Sequence, residues 1–319
     1  MEECNDQVPK PSTLRWKILR NALLSRSPSQ SDEKSESQEI INRISRKGKG
    51  NQSFNLIPCH LHPISSDNSE VEGLTMDACY CYSLPISNNI NHNLSLFQRR
   101  DNCASISDFE ICNKYDIDNT GVVCPWPSEE VLSYFCLSHA DMFRSKSVIE
   151  LGAGYGLAGL VIAAASEASE VVISDGNPQV IDYIQRSIAA NPEAFGSTNV
   201  TPKLLHWNQD EVETLFHKFD IVIASDCTFF KKFHKGLVRT VKLLLKDSCS
   251  SEAIFFSPKR GDSLDKFLEV ITEGGLHYSI SDKYDDRVWM RHQELMKGDQ
   301  SWPNYEANHC YPLLLKISR

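Results

Sequence analysis

The sequence predicts an α/β fold, with a mostly parallel sheet covered by helices on both faces and closed at one edge by antiparallel strands. Three observations carry this. From about residue 120, short apolar runs alternate with segments of helical periodicity, as in a sheet built through crossover helices. The apolar run Ser147-Val148-Ile149-Glu150-Leu151 leads straight into Gly152-Ala153-Gly154-Tyr155-Gly156 and then an alanine-rich helical pattern, so strand, glycine turn and helix follow one another. Two late apolar runs, 277–280 and 311–317, have no clear crossover helix between them, which suits an antiparallel closing pair. The expectation is a seven-stranded, Rossmann-like sheet.

The elements follow in order. Residues 1–51 read as a basic arm. Within it, 14–24 has the pattern of a short basic amphipathic helix capped by Ser12 or Thr13, and the Ser/Gln/Glu-rich 25–38 reads as disordered. Residues 52–119 alternate short apolar runs, such as Phe54-Asn55-Leu56-Ile57 and Tyr80-Cys81-Tyr82-Ser83-Leu84, with Asn, Ser and Pro. They are expected to form a cap of short strands. Residues 120–319 hold the sheet domain. Its first helix is expected at 129–139, capped by Ser128 with Glu129 and Glu130 in the first turn. Strands are then expected near 146–151, 171–174, 203–206, 219–225 and 252–257. Helices are expected near 157–167, 178–190, 233–246 and 263–273.

Composition narrows the class. Residues 10–50 carry ten Lys or Arg against four Asp or Glu, which leaves a net −15 on the rest of a chain whose charge is −9. A basic arm on an acidic body suits an acidic partner. No run approaches the ~18 apolar residues of a membrane span. The first residues include Glu2, Glu3 and Asp6 and lack an apolar leader, which argues against a secretory signal or transit peptide. A cytosolic or nuclear protein is expected, working as a monomer. Eleven scattered cysteines without a C-x-x-C pair read as reduced thiols; Cys79-Tyr80-Cys81 is a poor metal spacing.

The chemistry gathers at the strand tips. Glycines let a ligand approach where a Cβ would clash, and the following helix presents open N–H groups. About twenty residues on, Val171-Val172-Ile173-Ser174 ends in Asp175, placed to accept hydrogen bonds from ribose hydroxyls. The loop reads equally as G-x-G-x-x-G (Gly154, Gly156, Gly159), a dinucleotide fingerprint, and as E-x-G-x-G-x-G (Glu150, Gly152, Gly154, Gly156), the pattern of S-adenosylmethionine enzymes. Glu150 favours the second, because a carboxylate there repels a pyrophosphate and suits an ammonium and a sulfonium. Trp126, held between Pro125 and Pro127, and Trp207 with Asn208 at the third strand's tip are candidate walls and base contacts for the cofactor. The fourth strand leaves through Ser225-Asp226-Cys227-Thr228-Phe229-Phe230. Asp226 is placed to attract and orient an amine, and Phe229 and Phe230 to flank its stem. Methyl transfer needs alignment more than acid–base machinery, so the lack of a triad is consistent with it. The nucleobase signature [ND]-P-P-[YF] is missing, which weighs against nucleic acid as substrate. A NAD(P)-dependent oxidoreductase remains a rival reading.

Glu150–Gly156, Asp175-Gly176-Asn177, Trp207-Asn208 and Asp226-Cys227-Thr228-Phe229 together resemble the seven-β-strand protein-lysine methyltransferases that lack a SET domain. Arg15–Arg20, Asp118-Asn119-Thr120-Gly121, Trp126-Pro127-Ser128-Glu129-Glu130, Ser257-Pro258-Lys259-Arg260-Gly261 and Tyr311-Pro312-Leu313-Leu314-Leu315 are similar to the members of that family acting on calmodulin. The resemblance implies a class I methyltransferase sheet and S-adenosyl-L-methionine as cofactor. It implies cofactor contacts from Trp126, Gly152, Ala153, Gly154, Gly156, Asp175, Asn177, Trp207, Asn208 and Ser225, with Glu150 beside them. It places Asp226 and Phe229 at the substrate lysine and implies trimethylation of one lysine in calmodulin; the same fold methylating another protein, and a non-catalytic calmodulin-binding protein, are the rivals to that reading. Two positions depart from the family pattern: Ser225 stands where relatives often have Ala, and Phe229 where the family's D-x-x-Y has Tyr. The acidic body then needs basic surface to dock acidic calmodulin. The candidates are the arm, 231–235 and Lys259-Arg260.

Overall fold

The computed structural model describes residues 53–62, 77–86, 90–100, 106–118, 120–123, 125–207 and 215–319. The basic arm, with the helix expected at 14–24, and Asn208 lie outside them. The described chain begins with an antiparallel sheet of Cys59–His62 (β1), Asp77–Ile86 (β2) and Ile90–Arg99 (β3), with β2 in the middle. Its two long strands each have ten residues, so this cap is more regular than the run of short strands expected. Phe54–Ile57, read as strand-like, is not a strand: it is an irregular segment whose Phe54, Leu56 and Ile57 are buried in the main core. A helix, Ile106–Tyr115 (α1), and a helical turn, Thr120–Val123, lead into the sheet domain.

Pro127–Ser138 (α2) starts two residues earlier than expected. Pro127 needs no N–H partner at the first helical position, Trp126 takes the cap position, and Ser128 sits inside the first turn without capping it. Then come Ser147–Leu151 (β4), Leu157–Ala165 (α3), Glu170–Asp175 (β5), Pro178–Ala189 (α4), Asn199–Leu204 (β6), Ile221–Ser225 (β7), His234–Leu244 (α5), Glu252–Ser257 (β8), Ser263–Glu273 (α6), His277–Ser281 (β9), Asp286–Met296 (α7) and Leu313–Ser318 (β10). The seven strands pair in the order β6-β5-β4-β7-β8-β10-β9. The first five run parallel, and β10 is antiparallel to both neighbours. The expected α/β architecture with antiparallel closing strands is therefore present. The β9–β10 connection does carry a helix, α7, which the sequence reading did not place.

The interior parallel strands are buried on both faces, so β4, β5, β7 and β8 are apolar without alternation. Successive side chains feed opposite layers. Val148, Ile173, Ile223 and Phe256 pack with α2, α3 and α4, whereas Ile149, Val172, Val222 and Phe255 pack with α5 and α6. The cap lies on the first of these layers. Ser187 Oγ and Asn191 Oδ1 accept from the Phe97 and Ser95 N–H groups of β3, which blunts that edge strand. A buried ion pair, Arg99 to Asp108 at 2.7 Å, ties β3 to α1. Strand order reverses between β4 and β7, and a ligand crevice opens at such a switch point. Among the described residues every cysteine is free, no group of three metal-ligating side chains occurs, and no helix is long and apolar enough to cross a membrane.

Candidate active site

The crevice is a cavity of about 370 Å³ over the carboxyl ends of β4, β5 and β7. Trp126, Gly152, Ala153, Gly154, Asp175, Asn177, Trp207, Ser225, Asp226 and Phe229, all expected from the sequence, line it together. Residues 115–118 and 120–122 form another wall, so both sides of the expected boundary at 119/120 contribute to one site. Phe230, Phe233 and Arg260 complete the end around Asp226.

Gly152 is in the left-handed region, φ +58°. A Cβ there would stand 2.7 Å from Cys227 Sγ and 3.1 Å from the Trp207 ring. The glycine thus keeps the cavity floor open between β4 and β7, where any side chain would fill it. Asp175 Oδ2 accepts from Gly154 N–H at 3.0 Å and Oδ1 from Asn177 N–H at 2.8 Å. The carboxylate is thereby aimed across the loop. Burial nonetheless raises its pKa to about 6, with the two N–H donors pulling the other way. Asn177 caps α4 through Oδ1, which accepts from Gln179 N–H at 2.9 Å. Its Nδ2 is buried and has no hydrogen-bond partner among the described residues.

Two expected contacts are not brought to the cavity. Glu150 is 1% exposed and lies beneath the loop, where its Oε2 accepts from Gly159 N–H at 2.8 Å. Burial, reinforced by Glu129 nearby, pushes its pKa well up. It therefore does not face a ligand's ammonium, contrary to the sequence reading. A carboxylate at the strand end can turn inward, and here Gly159 leaves the room: a Cβ there would be 2.7 Å from Glu150 Oε2. Gly156 likewise packs away from the cavity, its missing Cβ sparing Ile173. Both hold the loop's shape from behind.

Asp226 sits just past β7 with its side chain 4% exposed and its backbone in the left-handed region, φ +57°. Its Oδ1 is 2.6 Å from Arg260 Nη2. The two are close enough for an ion pair, but neither carboxylate oxygen accepts an aligned hydrogen bond among the described residues. Burial raises the Asp226 pKa, while Arg260 and the neighbouring Ser128 restrain the rise. The Arg260 guanidinium lies over two aromatic rings, 4.4 Å from the Trp126 centroid and 5.3 Å from that of Phe229. Sequence reasoning assigned Arg260 to a docking surface; the structure buries it in the site. The signal that could have found it is its place just beyond β8, the strand beside β7.

A supporting layer was also missed. The Thr228 carbonyl takes the Ser263 hydroxyl at 2.6 Å and His234 Nε2 at 2.8 Å, and Ser263 Oγ also reaches Phe229 O at 2.9 Å. Burial lowers the His234 pKa, which favours the neutral ring donating from Nε2. These contacts fix the turn that carries Asp226 and Phe229. Of the basic residues at 231–235, Lys231 pairs with Asp262 at 2.5 Å, Lys232 pairs with Asp116 at 2.8 Å and His234 is buried. Lys235 and Lys259 are exposed.

The arrangement offers a cleft with a ribose-type acceptor at Asp175 and an aromatic, carboxylate-bearing pocket at Asp226, both opening on one cavity. The sequence pattern of a family described as lysine methyltransferase matches residues 110–274. The chain is 59% identical over 307 residues to a calmodulin-lysine N-methyltransferase of Arabidopsis thaliana, covering 96% of each chain. A protein-lysine N-methyltransferase of Mus musculus, EEF2KMT, is 26% identical over 171 residues, which is 50% of this chain and 51% of its own. Among solved structures, an S-adenosylmethionine dependent methyltransferase from Mesorhizobium loti covers 60% of this chain and 100% of its own, at 13% identity and a TM-score of 0.41.

Proposed function

The chain belongs to the lysine methyltransferase family, and we propose that the lysine it methylates, with S-adenosyl-L-methionine as donor, is one of calmodulin, carried to the trimethylated state. The observation that carries the chemistry is the pairing of Asp175 and Asp226 on one cavity, at the tips of strands either side of the switch point. Support for calmodulin comes from the near full-length likeness to the Arabidopsis enzyme of that name. The reading takes the working unit as a monomer of the cytosol or nucleus, acting without nucleic acid or membrane.

The cavity fits the cofactor. Asp175 is placed for two ribose hydroxyls, Asn177 lines the same cavity beside it, and Gly152 leaves space that a Cβ would take. Trp207 and Ser225 flank the same floor, and Trp126 stands at the Asp226 end. When bound, the cofactor supplies a methyl group already activated by its sulfonium. The protein's work is then orientation and exclusion of water. Phe229 and Phe230, with ring centroids 4.6 Å apart, wall the acceptor channel. Asp226, paired with Arg260 at the base of this channel, is placed to orient the amine so that the nitrogen lone pair faces the methyl. Phe229 offers no hydroxyl where the family pattern has Tyr, so orientation falls to Asp226.

Incubating calmodulin with the enzyme and labelled cofactor, then mapping peptides by mass spectrometry, tests the reading. The expected result is one lysine gaining three methyl groups, with Asp226→Ala losing at least a hundredfold in rate while binding S-adenosylhomocysteine within a few-fold of wild type. Labelling of some other protein with calmodulin left untouched would refute the substrate assignment.

A further inference from the structure

We infer that Arg260 is the charge-setting residue of the acceptor pocket, a fixed guanidinium that keeps the Asp226 end electrically neutral so that the substrate lysine is received as the free amine. The inference rests on the reading of Asp226 as the group facing that amine. A lone carboxylate would favour the ammonium, and an opposite charge that close moves a pKa toward the charged form by one to three units. An ammonium has no lone pair and cannot attack a methyl group. A pocket built on Asp226 alone would bind lysine in the wrong state.

The geometry removes that conflict. Arg260 cancels the Asp226 charge at 2.6 Å and covers the Trp126 and Phe229 faces that would otherwise hold a cation. Its charge is permanent, because a guanidinium does not deprotonate in proteins. It is also anchored. Its backbone N–H donates to Asn308 O at 2.8 Å, its Nε donates to His309 O at 3.3 Å, and its side chain is 3% exposed. Asp226 and Arg260 both hold left-handed backbone, φ +57° and +43°, one and three residues past the ends of adjacent strands. Non-glycine residues keep such conformations where the surroundings over-determine them, as they do at functional sites.

The other groups facing the pair add no compensating charge swing. The Cys227 and Cys310 thiols interact with Asp226 and are kept protonated by burial. Glu306 lies beyond Cys310, and Ser128 contributes a hydroxyl. Glu129 turns one carboxylate oxygen to Leu157 N–H at 3.2 Å. At the rim, Lys232 and Asp116 neutralise one another, as do Lys231 and Asp262. Asp175 is at the ribose end. At an effective dielectric of about 20, a unit charge about 6 Å away moves a pKa by about two units, so removing Arg260 should be felt directly at the amine.

The test is the pH dependence of calmodulin methylation by wild type, Arg260→Gln, Asp226→Asn and the double variant, with Arg260→Lys as the conservative control. Binding of S-adenosylhomocysteine, followed by calorimetry, verifies that each variant is folded. Arg260→Gln should move the acid limb of kcat upward by about one to two pH units and lower kcat at neutral pH about ten- to a hundredfold, with KM unchanged or smaller. Asp226→Asn should move the limb downward, the double variant should return it toward wild type, and Arg260→Lys should keep it near wild type. An Arg260→Gln enzyme that loses the same factor of kcat at every pH, with its limb unmoved, would make Arg260 merely structural and overturn the inference. A wild type inactive on calmodulin at every pH would overturn the functional reading instead.

Discussion

Asp175 shows at the scale of one residue how the site is tuned. Its two accepted N–H bonds would lower its pKa, yet burial prevails and sets it at about 6. The sign follows directly. Above pH 6 the carboxylate is ionised and accepts from the ribose hydroxyls; below it, the empty site is protonated and binding must displace a proton. Affinity for S-adenosylhomocysteine should therefore be about tenfold weaker at pH 5 than at pH 7.5, and Asp175→Asn should be weaker throughout without that slope. Calorimetric titrations at the two pH values decide it; equal affinities would mean that Asp175 does not meet the ligand as an anion. The raised pKa also means that the folded, empty protein holds this proton more tightly than the unfolded chain. This group's contribution to stability is present below the unfolded value, 3.8, and is lost as pH rises to about 6. Gly152→Ala is a sharper lesion. Its Cβ would overlap Cys227 Sγ at 2.7 Å in a left-handed backbone. Cofactor affinity should fall at least tenfold, and circular dichroism should show the fold retained.

At the scale of elements, the strand–loop–helix unit from β4 to α3 separates what the sequence discloses from what it hides. The alternation of apolar runs and amphipathic segments was legible because burial on both faces leaves little else for parallel strands to be made of. Asp175 and Asp226 were legible for a similar reason: a carboxylate just past a buried apolar run commonly points into the crevice. Glu150 obeyed the same pattern and pointed elsewhere. Its direction depends on Gly159, nine residues later, which the strand alone does not reveal. Ser128 was hidden by Pro127, which moved the helix start and turned an expected cap toward Asp226. Arg260 was hidden because its partners come from β7, from α2's approach and from the turn at 307–310, three places far apart in sequence. The inward Glu150 makes a test available. Burial, with Glu129 nearby, pushes its pKa well up, which favours the neutral acid, and Gln is the isostere of that form. Glu150→Gln should leave affinity for S-adenosylmethionine within about twofold. A tenfold or larger loss would restore the contact with the cofactor's ammonium that the sequence suggested.

Across the whole molecule, distant segments are clasped beside the site. Phe54 and Leu56 donate backbone N–H groups to Glu130 of α2, and the Phe54 ring meets Trp302 at 5.8 Å and Tyr305 at 6.1 Å. The turn that follows, at 307–310, supplies the two carbonyls that hold Arg260. Phe54→Ala should remove about 3–5 kcal/mol and lower Tm by roughly 5–15 °C in a thermal melt, since a large buried ring leaves a cavity. Phe54 and Trp302 are separated by most of the described chain, so their contact carries a large loop-closure cost in folding. Contacts of that kind form late and are natural candidates to open first on warming, as a local rather than global event. Opening there would release the Asn308 and His309 carbonyls before the parallel strands separate. The consequence is kinetic: methylation should fail on a heating ramp several degrees before the sheet melts, and hydrogen exchange at 302–311 should quicken first.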